Sequence, residues 1–463
     1  MRPLNIISLA NEYFFIGFIG SLILCSIFLL FWFILYKRIL KGTKDLPKKK
    51  VVLALISICY MSLIIGIVFI RQSSSYHSVN LHLFRSYREA WNTFSVYEWT
   101  NLVLNILIFV PLGFLLPLWS DKLRKLWKVI LISVSTSAGI ECIQYITHQG
   151  VLDIDDIFNN STGSLIGYGF VMIILTITHT EKRKWIKAAG YCLPFLAVLT
   201  AFSTIFICYH NQRFGNLPGA ASYRIDMSEV QVASHVTISD EAEYKAVYSL
   251  DIASRNDTYA FSEAFFKILD TEVDETRIYD YEDTIVYNSL GQNLSLWVNF
   301  KGLTYRYTDL SSSGTKVDSF ADEEKVRQTL SRFGINIPGD AQHTVNEDHS
   351  HTFSVDMLVN GESILNGTVT CKYYTDGTIK DIQNNLVKYK FVEECPVISE
   401  KAAYEKLKEG YFIYPDNDKL KSIEIKHIQL VYSIDSKGFF QPVYKFVTLV
   451  NGIDTEILIP ALL

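Results

Sequence analysis

Residues 141–169 read E-C-I-Q-Y-I-T-H-Q-G-V-L-D-I-D-D-I-F-N-N-S-T-G-S-L-I-G-Y-G, and the fold turns on how this stretch is read. An apolar helix arrives carrying Glu141, Gln144 and His148 at i, i+3 and i+7, on one face. A short acidic turn follows, with Asp153, Asp155 and Asp156. A second apolar helix leaves with Asp156, Asn160, Gly163 and Gly167 on one stripe. Carboxylates inside sequence this apolar are costly and mark function.

Working outward, six apolar runs are each about long enough to span a bilayer. They lie at roughly 14–36, 51–70, 101–119, 127–147, 158–179 and 188–209. The first is too long, and too poor in cations at its start, for a cleaved signal peptide. Residues 1–210 hold 19 Lys and Arg against 10 Asp and Glu, a net of +9. Residues 211–463 carry −14, giving −5 for the whole chain of 463. A basic membrane part and an acidic soluble part follow. The acidic half excludes nucleic acid as a partner, since that needs a basic footprint.

The loops orient the bundle. Lys37 to Lys50, Lys122 to Lys128 and Lys182 to Lys187 are basic clusters after the first, third and fifth runs. The loop at 148–157 has no Lys or Arg, and 71–100 has only Arg71, Arg85 and Arg88. By the positive-inside rule both termini, the acidic turn and everything after about 210 are extracellular. The 71–100 loop carries Trp91, Phe94, Tyr97 and Trp99. It reads either as an interfacial anchor or as a lip over a site at the outer face. Asn101 and Asn105 are one turn apart at the start of the third run, and Pro111 and Gly113 are expected to kink it. Gly163-x-x-x-Gly167 reads as a close-packing motif.

From 211 to 235 the chain resembles a linker, with Gly215, Pro218 and Gly219. Beyond it, helices are expected at Asp240–Leu250, Ser262–Leu269, Asp322–Phe333 and from Ser399 to Gly410. Strands are expected within Leu294–Tyr307, at 351–359, 363–373 and 385–392, and at Ile423–Ile434, Gln441–Val450 and Thr455–Leu462. Ser436-Lys437-Gly438 and Asn451-Gly452 mark two hairpin turns. The expected fold is an α-helical membrane bundle of about six transmembrane helices (1–210), then a linker, then a soluble extracytoplasmic α+β domain with an antiparallel sheet (236–463). Five of the seven cysteines sit in apolar runs as small hydrophobes. Cys371 and Cys395 could pair outside the cell or stay free. There is no CxxC, zinc spacing or Gly-rich phosphate loop, so neither metal nor cofactor is expected.

The membrane half resembles the VanZ-like family. The resemblance rests on Asn101, Asn105, the F-V-P-L-G-F block at 109–114, Glu141, Gln144, and the D-I-D-D-x-x-x-N-x-x-G-x-x-x-G block from Asp153 to Gly167. It covers about 95–180 well and 1–94 loosely. It implies a multi-helix membrane protein and a link to resistance against teicoplanin-type glycopeptides. The family commonly places an Arg just before the acidic turn, where this chain reads T-H-Q-G-V-L. The Asp cluster then either lacks a positive partner or takes one from Arg85 or Arg88. The block from Glu400 to Phe446 is similar to the helix-plus-hairpin units of PepSY and YycI-type extracytoplasmic domains, which implies binding or regulation.

Ionised and alone, Glu141 would cost several kcal/mol, so it must be protonated, paired or hydrated. A hairpin this short keeps its helices adjacent, and Asn101 and Asn105 start from the same side. One polar pocket lined by Asn101, Asn105, Glu141, Gln144, Asp156 and Asn160 is expected, binding a membrane lipid, a lipid-linked cell-wall component or a lipoglycopeptide antibiotic. The plain alternative is a hydrogen-bond network that holds the bundle together. Asp153 and Asp155 are expected nearer water, as a solvated turn or helix N-terminal charge. No nucleophile–base pair is evident, which favours a binding protein. A headgroup enzyme using Glu141 and Asp156 as acid and base, or an envelope sensor, stays open.

Overall fold

The computed structural model describes residues 47–463 apart from 70–78, 149, 179–182, 282, 292, 312–315, 319 and 415–418, with isolated positions between 23 and 38. The first expected span, 14–36, falls outside the described residues but for those isolated positions. The chain divides into two units, one ending at Arg213 and the other formed by Phe214–Tyr414 and Lys419–Leu463.

The first unit contains α1 (Lys48–Phe69), strand β1 (Val79–Asn80), the short polar helix α2 (Arg85–Thr93), α3 (Val96–Trp119), α4 (Leu126–Ile146), strand β2 (Leu152–Asp153), α5 (Ile154–Thr178) and α6 (Lys184–Asn211). Among the described residues, five of these helices are long and apolar enough to cross a membrane. Their polarity is inverted relative to a soluble bundle. On α4, Ser133, Ser137 and Glu141 are buried at four-residue spacing, while Leu131, Val134 and Ile143 are exposed. On α5 the buried face carries Asp155, Asn159, Asn160, Gly163, Ser164 and Gly167. Polar groups inward and apolar groups outward suit a lipid solvent.

Close approach of α3 and α5 explains the glycines. A Cβ on Gly163 would lie 1.8 Å from the Ile106 carbonyl oxygen, and one on Gly167 would lie 1.9 Å from that of Val110. Gly113 returns the favour, meeting the Ser164 carbonyl at 1.8 Å. Only a residue without a side chain fits there. α3 continues as helix through Pro111 and Gly113 to Trp119. Hydroxyls of neighbouring helices reach carbonyls beside the proline: Tyr60 donates to Ile108 at 2.9 Å and Ser164 to Phe109 at 3.2 Å. Such donors stabilise backbone that a proline perturbs.

The second unit is α+β. In order it holds β3 (Gln231–Ser234), β4 (Tyr244–Ser249), α7 (Arg255–Ile268), β5 (Tyr279–Asp280), β6 (Thr284–Asn288), β7 (Leu294–Asn299), β8 (Tyr305–Asp309), α8 (Glu323–Arg332), β9 (Gln342–Val345), β10 (His351–Asn360), β11 (Ser363–Tyr373), β12 (Ile379–Asn384), β13 (Val387–Pro396), α9 (Glu400–Lys408), β14 (Ser422–Ile434), β15 (Phe439–Val450) and β16 (Ile453–Pro460). Among the described residues one 14-stranded sheet joins them, and every pairing between these strands is antiparallel except β3 with β14. The core is double. Phe265 and Phe266 of α7 and Val326 and Leu330 of α8 pack on Leu296, Val298, Tyr307 and Ile382. Ala403 and Leu407 of α9 pack on Ile425, Phe446, Ile457 and Ile459. The turn at Asn451-Gly452 has positive φ at both residues, 51° and 85°, as a two-residue hairpin requires.

Three expectations are corrected here. Residues 240–250 are not helical: 244–249 form β4, whose Val247 is fully buried and which β13 and β15 pair on its two sides. Residues 214–235 are not a linker. Leu217 and Ser222 are buried, Ile225 and Met227 pack on the α9 core, and 231–234 add a strand. Gly215 donates its backbone N–H to the buried Asp435 at 2.6 Å. Finally, His148 does not extend the face of Glu141 and Gln144, because α4 ends at Ile146 and His148 turns left-handed with φ 55°. Cys371 and Cys395 are both buried, on β11 and β13, and no disulfide joins them.

Candidate functional site

The acidic turn between α4 and α5 is built into the bundle. Glu141, 3% exposed, accepts the backbone N–H of Asp153 at 3.1 Å. Asp156 and Asp153 lie near enough for their charges to act on Glu141. Asn105 of α3 donates its side-chain amide to Asp156. Asn160 donates to Ser137 of α4 at 2.8 Å. Gln144 packs beside Gly150 at the head of the turn. Asn105, Glu141, Asp156 and Asn160 thus come together from three helices at one end of the bundle. Asn101, one turn from Asn105, is half-buried, and the structure gives its side chain no hydrogen bond among the described residues.

The 79–94 segment closes over this turn. β1 pairs in parallel with β2, setting Val79 opposite Leu152 and Asn80 opposite Asp153. Asp153 accepts from the Asn80 amide at 3.0 Å, from the Asp155 backbone at 2.8 Å and from the Ser86 hydroxyl at 3.2 Å. Burial outweighs those donors and holds its carboxyl above the usual range. Asp155 is fully buried and accepts the backbone N–H groups of Phe84 at 2.6 Å and Ser86 at 2.8 Å. These are orphan donors at the start of α2, so Asp155 caps that helix from outside it. Tyr87 donates its hydroxyl to Asn159. Burial and then the charges of Asp155 and Asp156 push that phenol up, which keeps it a donor. Trp91 and Phe94 pack on Tyr209, and Trp99 packs on Phe202 and Phe206, all three partners on α6.

The expectation of water is therefore corrected for Asp155, which stands in the first turn of α5 as a helix N-terminal charge, while Asp153 is half-buried. The Arg85 guanidinium binds Glu89 at 2.7 Å. The N-terminus of α2 meets Asp155 through the Phe84 and Ser86 backbone N–H groups. Sequence reasoning missed Asn80, Ser86, Tyr87, Ser137 and Asn159. One signal was available: Asp155 and Asn159 are one turn apart, as are Asp156 and Asn160, so the D-D-x-x-N-N pattern loads two adjacent helix faces.

Capacity for further bonding remains. Asn159 Nδ2 and Asn160 Oδ1 are buried without a partner among the described residues. A buried polar atom left unpaired costs about 1–3 kcal/mol, and a ligand or water would recover that. No group of three or more His, Cys, Asp or Glu suited to a metal ion occurs among the described residues.

Fold and site define a multi-pass membrane protein whose helix bundle holds a buried acidic cluster under a short helical cap. The family model described as VanZ/LLP1 matches residues 51–175, from α1 through nearly all of α5, and the membrane unit is VanZ-like. No curated protein matches the chain.

Proposed function

We propose that this VanZ-like membrane protein engages a lipid-linked or amphiphilic ligand at the outer membrane face, and so contributes to cell-envelope homeostasis or to resistance against teicoplanin-type glycopeptides. One observation carries the reading. Glu141, Asp156, Asn105 and Asn160 converge from three membrane helices, and hydrogen-bonding atoms of Asn159 and Asn160 remain unused there. A bundle held only by helix glue needs neither carboxylates nor spare donors.

The positions of the basic loops support placing the acidic turn and the second unit outside the cell. A headgroup with hydroxyl or amide groups would find an acceptor at Asn160 and a donor at Asn159. The second unit, in this reading an extracytoplasmic domain of PepSY-like character, serves binding or regulation.

The test uses Glu141→Gln and Asp156→Asn. Each keeps size and hydrogen-bonding capacity and removes the ionisable group. Both are expected to abolish protection of a host against a teicoplanin-type lipoglycopeptide while the protein still accumulates in the membrane. Asp121→Asn is the control, since that carboxylate is 84% exposed and outside the cluster. Unchanged protection in both pocket variants would reduce the cluster to scaffold. No protection by the unaltered protein would remove the antibiotic as ligand. Protease added to intact cells should release a fragment of the size of the second unit; a protected C-terminus would overturn the orientation.

A further inference from the structure

The sheet of the second unit has one face with no role in the reading above. Along β7, Leu294, Leu296 and Val298 point into the core under α7 and α8, while Ser295, Trp297 and Asn299 point away. Register aligns the outward residues across four strands. Trp297 lies opposite Arg306, and Arg306 opposite Gln383. Thr284 lies opposite Asn299 in the neighbouring row. Together with Thr308 and Asn385 these residues line an open groove of about 560 Å³.

Its chemistry is specific. Trp297 is 44% exposed, and the Tyr281 ring stacks on it at 5.8 Å and 7°, giving an aromatic platform. Trp and Tyr are enriched among the residues that dominate binding energy where a ligand or partner is engaged. Around them are amides and hydroxyls. The structure gives the Gln383 and Asn385 side chains no hydrogen bond among the described residues, and both are exposed. Among the described lining residues the cation is Arg306, which sits 3.5 Å from Asp381 on the next strand. No carboxylate lines the groove among the described residues.

This excludes most occupants. A polyanion needs several unmatched cations. A β-strand peptide adds to a sheet edge, and β7 and β8 are interior strands paired on both sides. An apolar chain would desolvate the amides without pairing them. A sugar meets all the conditions: its ring carries an apolar C–H face for the Trp297 platform, and its hydroxyls take donor and acceptor from one amide. We infer that this face of the second unit binds an uncharged oligosaccharide. The inference rests on the second unit alone and is independent of the ligand proposed for the membrane unit.

The full-length protein in lipid nanodiscs, free of glycosidic detergent, is titrated calorimetrically. The probes are chitotetraose, cellohexaose and maltohexaose, with polyphosphate and a mixed tripeptide set as competitors. Saturable binding of at least one of the three sugars is expected. Trp297→Ala should weaken it about tenfold or more, and Gln383→Ala with Asn385→Ala should weaken it further. All three changes are at exposed positions, and an unchanged thermal melt would show that the fold persists. Absence of binding by every sugar at millimolar concentration would overturn the inference. So would binding indifferent to Trp297→Ala, or binding of polyphosphate or peptide alone.

Discussion

The Asp155 carboxylate accepts the backbone N–H of Ser86 at 2.8 Å, across 69 positions of sequence. A carboxylate at the entrance of one membrane helix thereby caps a second, short helix that covers the entrance. The arrangement meets two needs at once. The orphan N–H groups of α2 gain an acceptor, and a fully buried charge gains donors and the positive end of a helix. The acidic turn and its cover are therefore one unit.

Asp155→Ala should release that cover. An N-cap loss costs about 0.5–2 kcal/mol, and here it also leaves N–H groups of 84–86 without an acceptor. Hydrogen exchange over 79–94 should accelerate while α3 and α4 keep their protection. Equal exchange in variant and parent would mean that the β1–β2 pairing, the Asn80–Asp153 and Tyr87–Asn159 bonds and the α6 aromatic contacts hold the cover without Asp155.

The α3–α5 contact should be intolerant of a single methyl. Gly163→Ala places a Cβ 1.8 Å from backbone, so the helices must separate, at a cost of about 1–3 kcal/mol or more. Gly139→Ala meets nothing within 4 Å and should be neutral or stabilising by up to about 1 kcal/mol. Melting of both variants in micelles distinguishes them.

The second unit should fold when expressed alone as 214–463, with one cooperative melt. Cut to 236–463 it loses β3 and the Leu217 and Ile225 contacts, each buried apolar side chain contributing about 1.5–3 kcal/mol. The shorter piece should melt far lower or without cooperativity. Equal melts would return 214–235 to the status of a linker.

Acid should weaken the second unit through His351. This imidazole, 2% exposed, sits 3.0 Å from His343, whose other ring nitrogen meets Glu323 at 3.2 Å. Burial, then the charge of His343, holds the His351 pKa below its ordinary value, against the pull of Asp318 and Glu323. The unfolded chain then binds the extra proton more readily, so stability rises with pH. The contribution is complete above about pH 6.5, the unfolded value, and declines as pH falls toward the folded one. Melts of 214–463 at pH 7.5 and 5.5 should differ more in the parent than in His351→Gln.

Cys371 and Cys395 should resist alkylation until the protein unfolds. Both are buried, and burial pushes the Cys371 thiol up to about 12, leaving little thiolate. Mass mapping without reductant should find both as free thiols; a linked pair would contradict the fold of β11 and β13.

Much of the architecture was legible because local chemistry dictates it. Five apolar runs of bilayer length among the described residues, the α8 and α9 caps and breakers, and the Asn451-Gly452 turn depend on neighbours in sequence, and each lies where the residues put it. Asn105, Glu141, Asp156 and Asn160 were legible as a group because polar residues in apolar helices stand out. Other features depended on partners far along the chain. Residues 244–249 form a strand because β13 and β15 supply hydrogen bonds on both sides, which no local pattern records. Residues 214–235 contain loop-forming glycines and a proline, yet they pack because the α9 core offers a surface. Asp155 and Asp156 are adjacent in sequence, but a helix turns about 100° between them. One therefore meets the α2 backbone and the other Asn105. The sequence by itself determined which residues must avoid lipid; only the tertiary structure decided which donors each one finds, because hydrogen bonds depend on direction and distance in space rather than on residue type.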